Sequence, residues 1–377
     1  MTLSKKERTL RWALLTALLV VLLAVCAVLV AVASWQGLDE PVMEEAFPLK
    51  ERWRFKTNDG IVTEPSVGGD RVVIRTNKQL YALDVRTGTL LWTAPVHSDV
   101  SPTPPLVEDS LVVVGSESGV KTLDAETGQV VWESSDVCGG LGAIPAAINE
   151  TMVYIVRYGC HVRAYDRATG AVVWEIDLPA RSSADLFLDQ DKIYVVVGDT
   201  LLMLDSATGS LIEGVTGQIG VPATYRSGVL YGFVEEKDDS DRLVAFDTQT
   251  KKTLWVGPEI NISYPIGPPL ISGTRVLVAT SSGRPTAVDV HTGKTLWVAQ
   301  VGSDMYQTPA VLNDIVYILG IGDGKIYALS IQSGVELGHL FTGDKFVITG
   351  YSYNWRPVTA EGLLIVPLGR RVFAYGE

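Results

Sequence analysis

Three cysteines, four histidines and two irregular loops carry the side chains of this 377-residue chain best suited to chemistry. Cys138 and Cys160 stand 22 positions apart, whereas Cys26 lies inside an apolar run. His161 adjoins Cys160, but two ligands without a third donor fall short of a metal set, and a local loop role is the simpler reading. His291 sits within DVHTG, a stretch explained below as a turn, and His97 and His339 have no partner that sequence defines. The acidic run 235–242 could hold a cation through Asp238, Asp239 and Asp241, yet it lacks the spacing of an EF-hand and reads more simply as a solvated hairpin. The run Tyr351, Ser352, Tyr353, Asn354, Trp355, Arg356 puts aromatic anchors beside a guanidinium, the chemistry of a protein-binding hot spot; its alternative is a loop packed over a channel. H-E-x-x-H, C-x-x-C-H, a phosphate-binding glycine loop and G-x-S-x-G are all absent from the sequence, so no catalytic residue is expected.

Whatever positions these groups is a large folded body, since 47% hydrophobic and 20% charged residues exclude a wholly disordered polymer. A net charge of −12 disfavours a nucleic-acid partner. From Trp12 to Ala33 run 22 residues without a charge. At ~1.5 Å per residue a helix of that length covers the ~30 Å hydrocarbon layer. Lys5, Lys6, Arg8 and Arg11 precede it against one acid, Glu7, while Asp39, Glu40, Glu44 and Glu45 follow. The expectation is therefore a cytoplasmic start over 1–11, a transmembrane signal anchor over 12–33, an extracytoplasmic linker over 34–50 and an exported body over 51–377, single-pass in the cell membrane. The alternative is a secreted protein, cleaved after the small residues Ala31-Val32-Ala33, although the apolar run exceeds the usual ~7–15 residues. Leu23-Ala24-Val25 before Cys26 partly resembles a lipoprotein signal, but Val25 is bulky and Cys26 reads as an apolar, lipid-facing residue. Without the first eleven residues, which carry four basic side chains and one acid, the charge falls to −15, so a nonspecific hold on anionic lipid is not expected.

A repeat organises the body. LYALDVRTGTLLW fills 80–92, VKTLDAETGQVVW 120–132, VRAYDRATGAVVW 162–174, LLMLDSATGSLIE 201–213, LVAFDTQTKKTLW 243–255 and PTAVDVHTGKTLW 285–297, with a weaker IYALSIQSGVELG at 326–338. The landmarks Asp84, Asp124, Asp166, Asp205, Asp247, Asp289 and Ser330 are spaced 40, 42, 39, 42, 42 and 41 apart, the length of one propeller blade. Short apolar runs such as 72–74 and 80–83 read as strands, four to a unit. The Asp-x-x-Thr-Gly stretch makes the turn between the third and fourth: Asp satisfies local backbone donors, and Gly88, Gly128, Gly170, Gly209, Gly293 and Gly334 permit positive φ. Trp92, Trp132, Trp174, Trp255 and Trp297 then fall on the fourth strand, in structural roles between sheets. An eighth unit stops after its third strand, VFAYG at 372–376, and the missing strand is supplied by 51–55, with Trp53 in phase. The prediction is an all-β, eight-bladed propeller closed by an N-terminal strand, preceded by one transmembrane helix.

These in-phase A-x-D-x-x-T-G-x-x-x-W variants resemble the pyrroloquinoline-quinone-like (PQQ-like), or quinoprotein-type, β-propeller family over essentially residues 51–377, and their arrangement is similar to the outer-membrane-protein assembly propellers. The latter normally carry a lipid anchor, where this chain has residues 12–33. The resemblance implies either a noncatalytic scaffold for protein–protein interaction or envelope protein assembly, with extracytoplasmic or membrane proteins or peptides as partners, or a PQQ-dependent or other small-ligand-dependent oxidoreductase. The dehydrogenases hold a planar quinone and a calcium ion and commonly add an adjacent cysteine pair; no two cysteines are adjacent here, so no cofactor is expected and the scaffold is the leading reading.

In such a ring the connections between blades share a rim with the loops between second and third strands, which sets Cys138 and Cys160 on one face. A disulfide is expected in an exported domain, with free or metal-bound thiols as the alternative, and would contribute ~3 kcal/mol in a chain-entropy account. Reduction of the intact protein should add the mass of two hydrogens; two free thiols before reduction would refute the pair.

Overall fold

Apolar runs of five or six residues separated by polar turns at a fixed period make antiparallel meanders, because each turn returns the chain beside the strand it has just left. The computed structural model describes residues 42–43, 47–97, 103–108, 110–135, 143–157, 161–178, 184–235, 241–260, 267–280, 282–302, 307–320, 323–342 and 356–377. They form eight sheets. Blade 1 comprises Ser66–Gly68, Arg71–Arg75, Gln79–Asp84 and Leu90–Pro95 from the inside outwards. Blades 2 to 7 repeat this order and end on Val130–Ser135, Val172–Asp177, Leu211–Thr216, Lys252–Ile260, Thr295–Val298 and Glu336–Phe341. Blade 8 takes its three inner strands from Val358–Ala360, Leu363–Leu368 and Arg371–Gly376, and its outer strand from Lys50–Lys56, paired antiparallel with Arg371–Gly376. The first strands of blades 1 and 8 approach one another, so the ring is closed.

The expected transmembrane helix requires correction. Among the described residues no helix is long and apolar enough to cross a membrane, and the single-pass localisation and signal anchor built on that helix are withdrawn with it. The run 12–33 lies outside the described residues. Within them, apolar side chains are spent on strand faces that pack sheet against sheet, and none forms a continuous apolar helix.

Six of the seven turns are held by their own aspartate, Ser330 standing in the seventh. Asp84 Oδ1 accepts from the Arg86 and Thr87 amides at 3.1 and 2.8 Å and from the Thr87 hydroxyl at 2.7 Å. Asp124, Asp205 and Asp289 repeat all three bonds. Bonds from the Thr87 hydroxyl and amide favour the ionised form and hold the Asp84 carboxyl below the ordinary carboxylate range.

The turn of one blade is the docking point for the blade before it. Gly128 adopts φ +70°, and a Cβ there would lie 2.6 Å from the Trp92 ring. The Trp92 Nε1–H donates to the Ala125 carbonyl at 2.8 Å. The same clasp joins Trp53 to Val85 and Gly88, Trp132 to Arg167 and Gly170, Trp174 to Ser206 and Gly209, Trp255 to Val290 and Gly293, and Trp297 to Ile331 and Gly334. Between blades 4 and 5 both halves change together: Glu213 stands in the tryptophan phase, Lys251 in the glycine phase, and the two form an ion pair. At the junction of blades 7 and 8 there is no turn to clasp, and Phe47 packs edge-on against Tyr317 and Tyr375 with centroids 6.0 and 6.1 Å away.

Truncating one clasp, Trp132→Ala, is expected to cost about 3–5 kcal/mol of unfolding free energy. Installing the missing clasp with Glu213→Trp and Lys251→Gly together should raise the urea midpoint, whereas either change alone should lower it. A double variant less stable than wild type would contradict the interlock.

Candidate functional site

The first strand of each blade lines the ring's centre, and there the inner wall borders a half-open cavity of about 420 Å³. Ile144 and Ala146 of blade 3, Asp185 and Phe187 of blade 4, Thr224 of blade 5, Pro269 and Leu270 of blade 6, Thr308 of blade 7 and Arg356 beside blade 8 all face it. Side chains bridge neighbouring blades along this wall: the Ala223 amide donates to Asp185 Oδ2 at 2.8 Å, the Thr224 hydroxyl to the Pro269 carbonyl at 2.6 Å, and the Thr308 hydroxyl to the Pro268 carbonyl at 2.9 Å. Burial pushes the Asp185 carboxyl up to about 6, with the Ala223 amide pulling the other way. Where blade 8 meets blade 1, Arg356 Nη2 lies 2.8 Å from Glu64 Oε1. Burial raises the Glu64 carboxyl, and Arg356 offsets part of the rise.

A second cavity, of about 470 Å³, opens between blades 1 and 2, lined by Arg75, His97, Ser116, Lys121, Glu133 and Ser135 among others. Its charges are matched internally, Glu133 lying 3.6 Å from Lys121 and 3.7 Å from His97. Beneath it the fully buried Arg75 donates to the Thr103 and Gly115 carbonyls, and Arg157 donates to the Glu117 carbonyl. These two arginines, one position in alternate blades, brace the hairpin between them.

Of the residues proposed from sequence, Cys138, Cys160, Asp238, Asp239, Tyr351, Tyr353, Asn354 and Trp355 lie outside the described residues. Arg356 is described, and it is committed to Glu64 at the channel. His161 is buried on a blade 3 strand, and the His291 amide donates to Asp289 in its turn. His339, without a partner in the sequence reading, bonds Glu336 and Lys325 at 2.7 and 2.8 Å. Asp185 and Glu64 were not singled out from sequence; the available signal was a carboxylate on or beside a strand assigned to the inner wall.

The family model described as outer membrane protein assembly factor BamB matches residues 50–137, 116–212 and 215–374, nearly the whole ring. The chain belongs to this family. Its structure is similar to BamB from Moraxella catarrhalis, with a TM-score of 0.68 and 17% identity, covering 87% of this chain and 100% of that one. The computationally designed Ika8 protein matches with the same score, identity and coverage. Quinohemoprotein alcohol dehydrogenase from Comamonas testosteroni matches at 0.63 and 14% identity, over 87% of this chain and 77% of that one. No curated protein matches this chain. At these identities the likeness to solved structures concerns the eight-bladed BamB-type fold alone.

The described channel does not fit the quinone of the dehydrogenases. A planar quinone bearing carboxylates needs cations, whereas Arg356 is closed on Glu64 and the other charged side chain on this wall, among the described residues, is the anionic Asp185. Nor do three His, Cys, Asp or Glu side chains converge as a metal set among the described residues.

Arg356→Ala would leave the Glu64 carboxyl buried without its counter-ion, and a cost of about 2 kcal/mol follows, moderated by the partial exposure of the guanidinium. A carboxyl whose pKa is raised in the folded state holds its proton more tightly there, so the stability of this variant should fall as pH rises through the Glu64 pKa. Glu64→Gln in the same background should remove that dependence. Thermal melts from pH 4 to 8 check this, and a pH-independent loss would contradict the assignment.

Proposed function

We propose that this BamB-family ring is a noncatalytic scaffold for protein–protein interaction in envelope protein assembly, and that its partners dock on the outer strands. The observation that carries the reading is a girdle of exposed aliphatic side chains. In blade 1, Leu90 pairs with Leu83 and Trp92 with Ala82, so Leu91 is an extra residue in a bulge. The bulge turns Leu90 and Leu91 outward together, 44% and 45% exposed, while Trp92 points in. The same register shift leaves Val131, Val173, Ile212, Leu254, Leu296 and Leu337 exposed in blades 2 to 7. In blade 8 the bulge residue is Arg52.

Outer strands also present unpaired backbone groups, and blade 7 demonstrates what they accept. Val42 and Met43 add there as a fifth antiparallel strand, opposite Phe341 and Leu340. A partner supplying an extended segment with apolar side chains would use the same backbone bonds and cover the aliphatic pair. The family's description supplies the assembly setting. The aromatic run 351–355 of the sequence, outside the described residues, is proposed as a second contact.

Photo-crosslinkers at Leu211 and at Trp355 test the two surfaces separately. Capture of an envelope-assembly protein from the crosslinker at 211 is expected, and it should be lost when Ile212→Lys is added, while stability stays within about 0.5 kcal/mol for that exposed substitution. Undiminished capture by that variant would overturn edge docking.

A further inference from the structure

Among the described residues, the central cavity carries a charge without a counter-charge. Its wall is largely apolar, through Ile144, Phe187, Pro269 and Leu270, and its volume of about 420 Å³ falls in the ~300–1,000 Å³ range of small-molecule sites. Arg356 faces it from blade 8 but is paired with Glu64. Asp185 faces it from blade 4, held by the Ala223 amide, and forms no ion pair among the described residues. The two hydroxyls on this wall donate their protons to the Pro269 and Pro268 carbonyls, so Thr224 and Thr308 turn acceptor lone pairs to the cavity. The described wall therefore offers a carboxylate, hydroxyl acceptors and hydrocarbon, and the guanidinium of Arg356 is already neutralised.

We propose that the channel binds a small organic cation, a primary or secondary ammonium with an apolar body, whose charged group pairs with Asp185. An unmatched carboxylate in a partly buried site costs free energy that a cation recovers. An ammonium supplies the donors that the wall lacks, and its hydrocarbon part covers Phe187, Leu270 and the proline faces. The preference is opposite in sign to that of a channel that holds a carboxylated quinone. Burial raises the Asp185 carboxyl to about 6, and cation binding would lower it. The other titratable or charged groups at this wall, among the described residues, are Arg356 and, behind it, Glu64.

Isothermal calorimetry with benzylamine on the intact protein tests this, with benzyl alcohol as the neutral counterpart. Benzylamine should bind one to one at pH 7.5 and at least tenfold more tightly than benzyl alcohol. Its affinity should decline as pH drops below about 6, where Asp185 takes up a proton. Asp185→Asn, which keeps an acceptor for the Ala223 amide, should abolish the preference for the amine while circular dichroism stays that of the ring. Equal binding of amine and alcohol by the wild type, no binding of benzylamine at millimolar concentration, or an unchanged preference in Asp185→Asn would each overturn the proposal. The wild-type pH series stands without the variant, and none of these results depends on docking at the outer strands.

Discussion

The clasp between an indole and the turn of the next blade is the interaction on which the ring depends. A four-stranded sheet of short strands buries too little surface to be independently secure, so each blade needs a neighbour at fixed distance and angle. The tryptophan sets both: its ring fills the gap between sheets, and its N–H is satisfied by the carbonyl that follows the turn aspartate. The glycine is required by the same contact, because a side chain there would meet the indole and would have to adopt a positive φ. Exchange of the pair for Glu213 and Lys251 at one junction shows that the two positions act as a unit.

Two surfaces follow from this packing. Successive strand residues ordinarily alternate faces, so Leu90 and Leu91 can both point outward, with Trp92 pointing inward, only because the outer strand bulges at Leu91. The same bulge recurs in blades 4 and 7, whose outer strands carry Glu213 and Gly338 in the tryptophan phase, so the girdle belongs to the blade repeat itself, and on blade 7 the outer strand edge is paired with Val42 and Met43. On the inside, eight first strands brought to one axis form a wall whose few charged groups are far apart in sequence and close in space. Glu64 and Arg356 meet only because the ring closes between blades 8 and 1.

Most of the ring was legible before the structure. The aspartate period, the terminal-strand tryptophans and the incomplete eighth unit all express local rules of turn chemistry and strand length, and the Lys50–Lys56 strand pairs where the missing strand was expected. The transmembrane helix was not upheld: the length of an apolar run is a statement about one segment, and among the described residues no such helix exists. The candidate site was less legible. Arg356 was noticed as the end of an aromatic rim motif, but its charge is turned to Glu64, and Asp185 passed as one more residue of an alternating strand.

The sequence by itself determined how many blades there are and where each turn falls, because each repeat is set by residues within about one repeat length of one another, and the unit left incomplete at 372–376 indicated that the N-terminal strand completes the last sheet. Tertiary structure alone decided which carboxylates are neutralised and which face the channel unpaired, and which aliphatic residues remain outside. Those outcomes depend on burial and on partners from other blades, and neither quantity exists until the ring has closed.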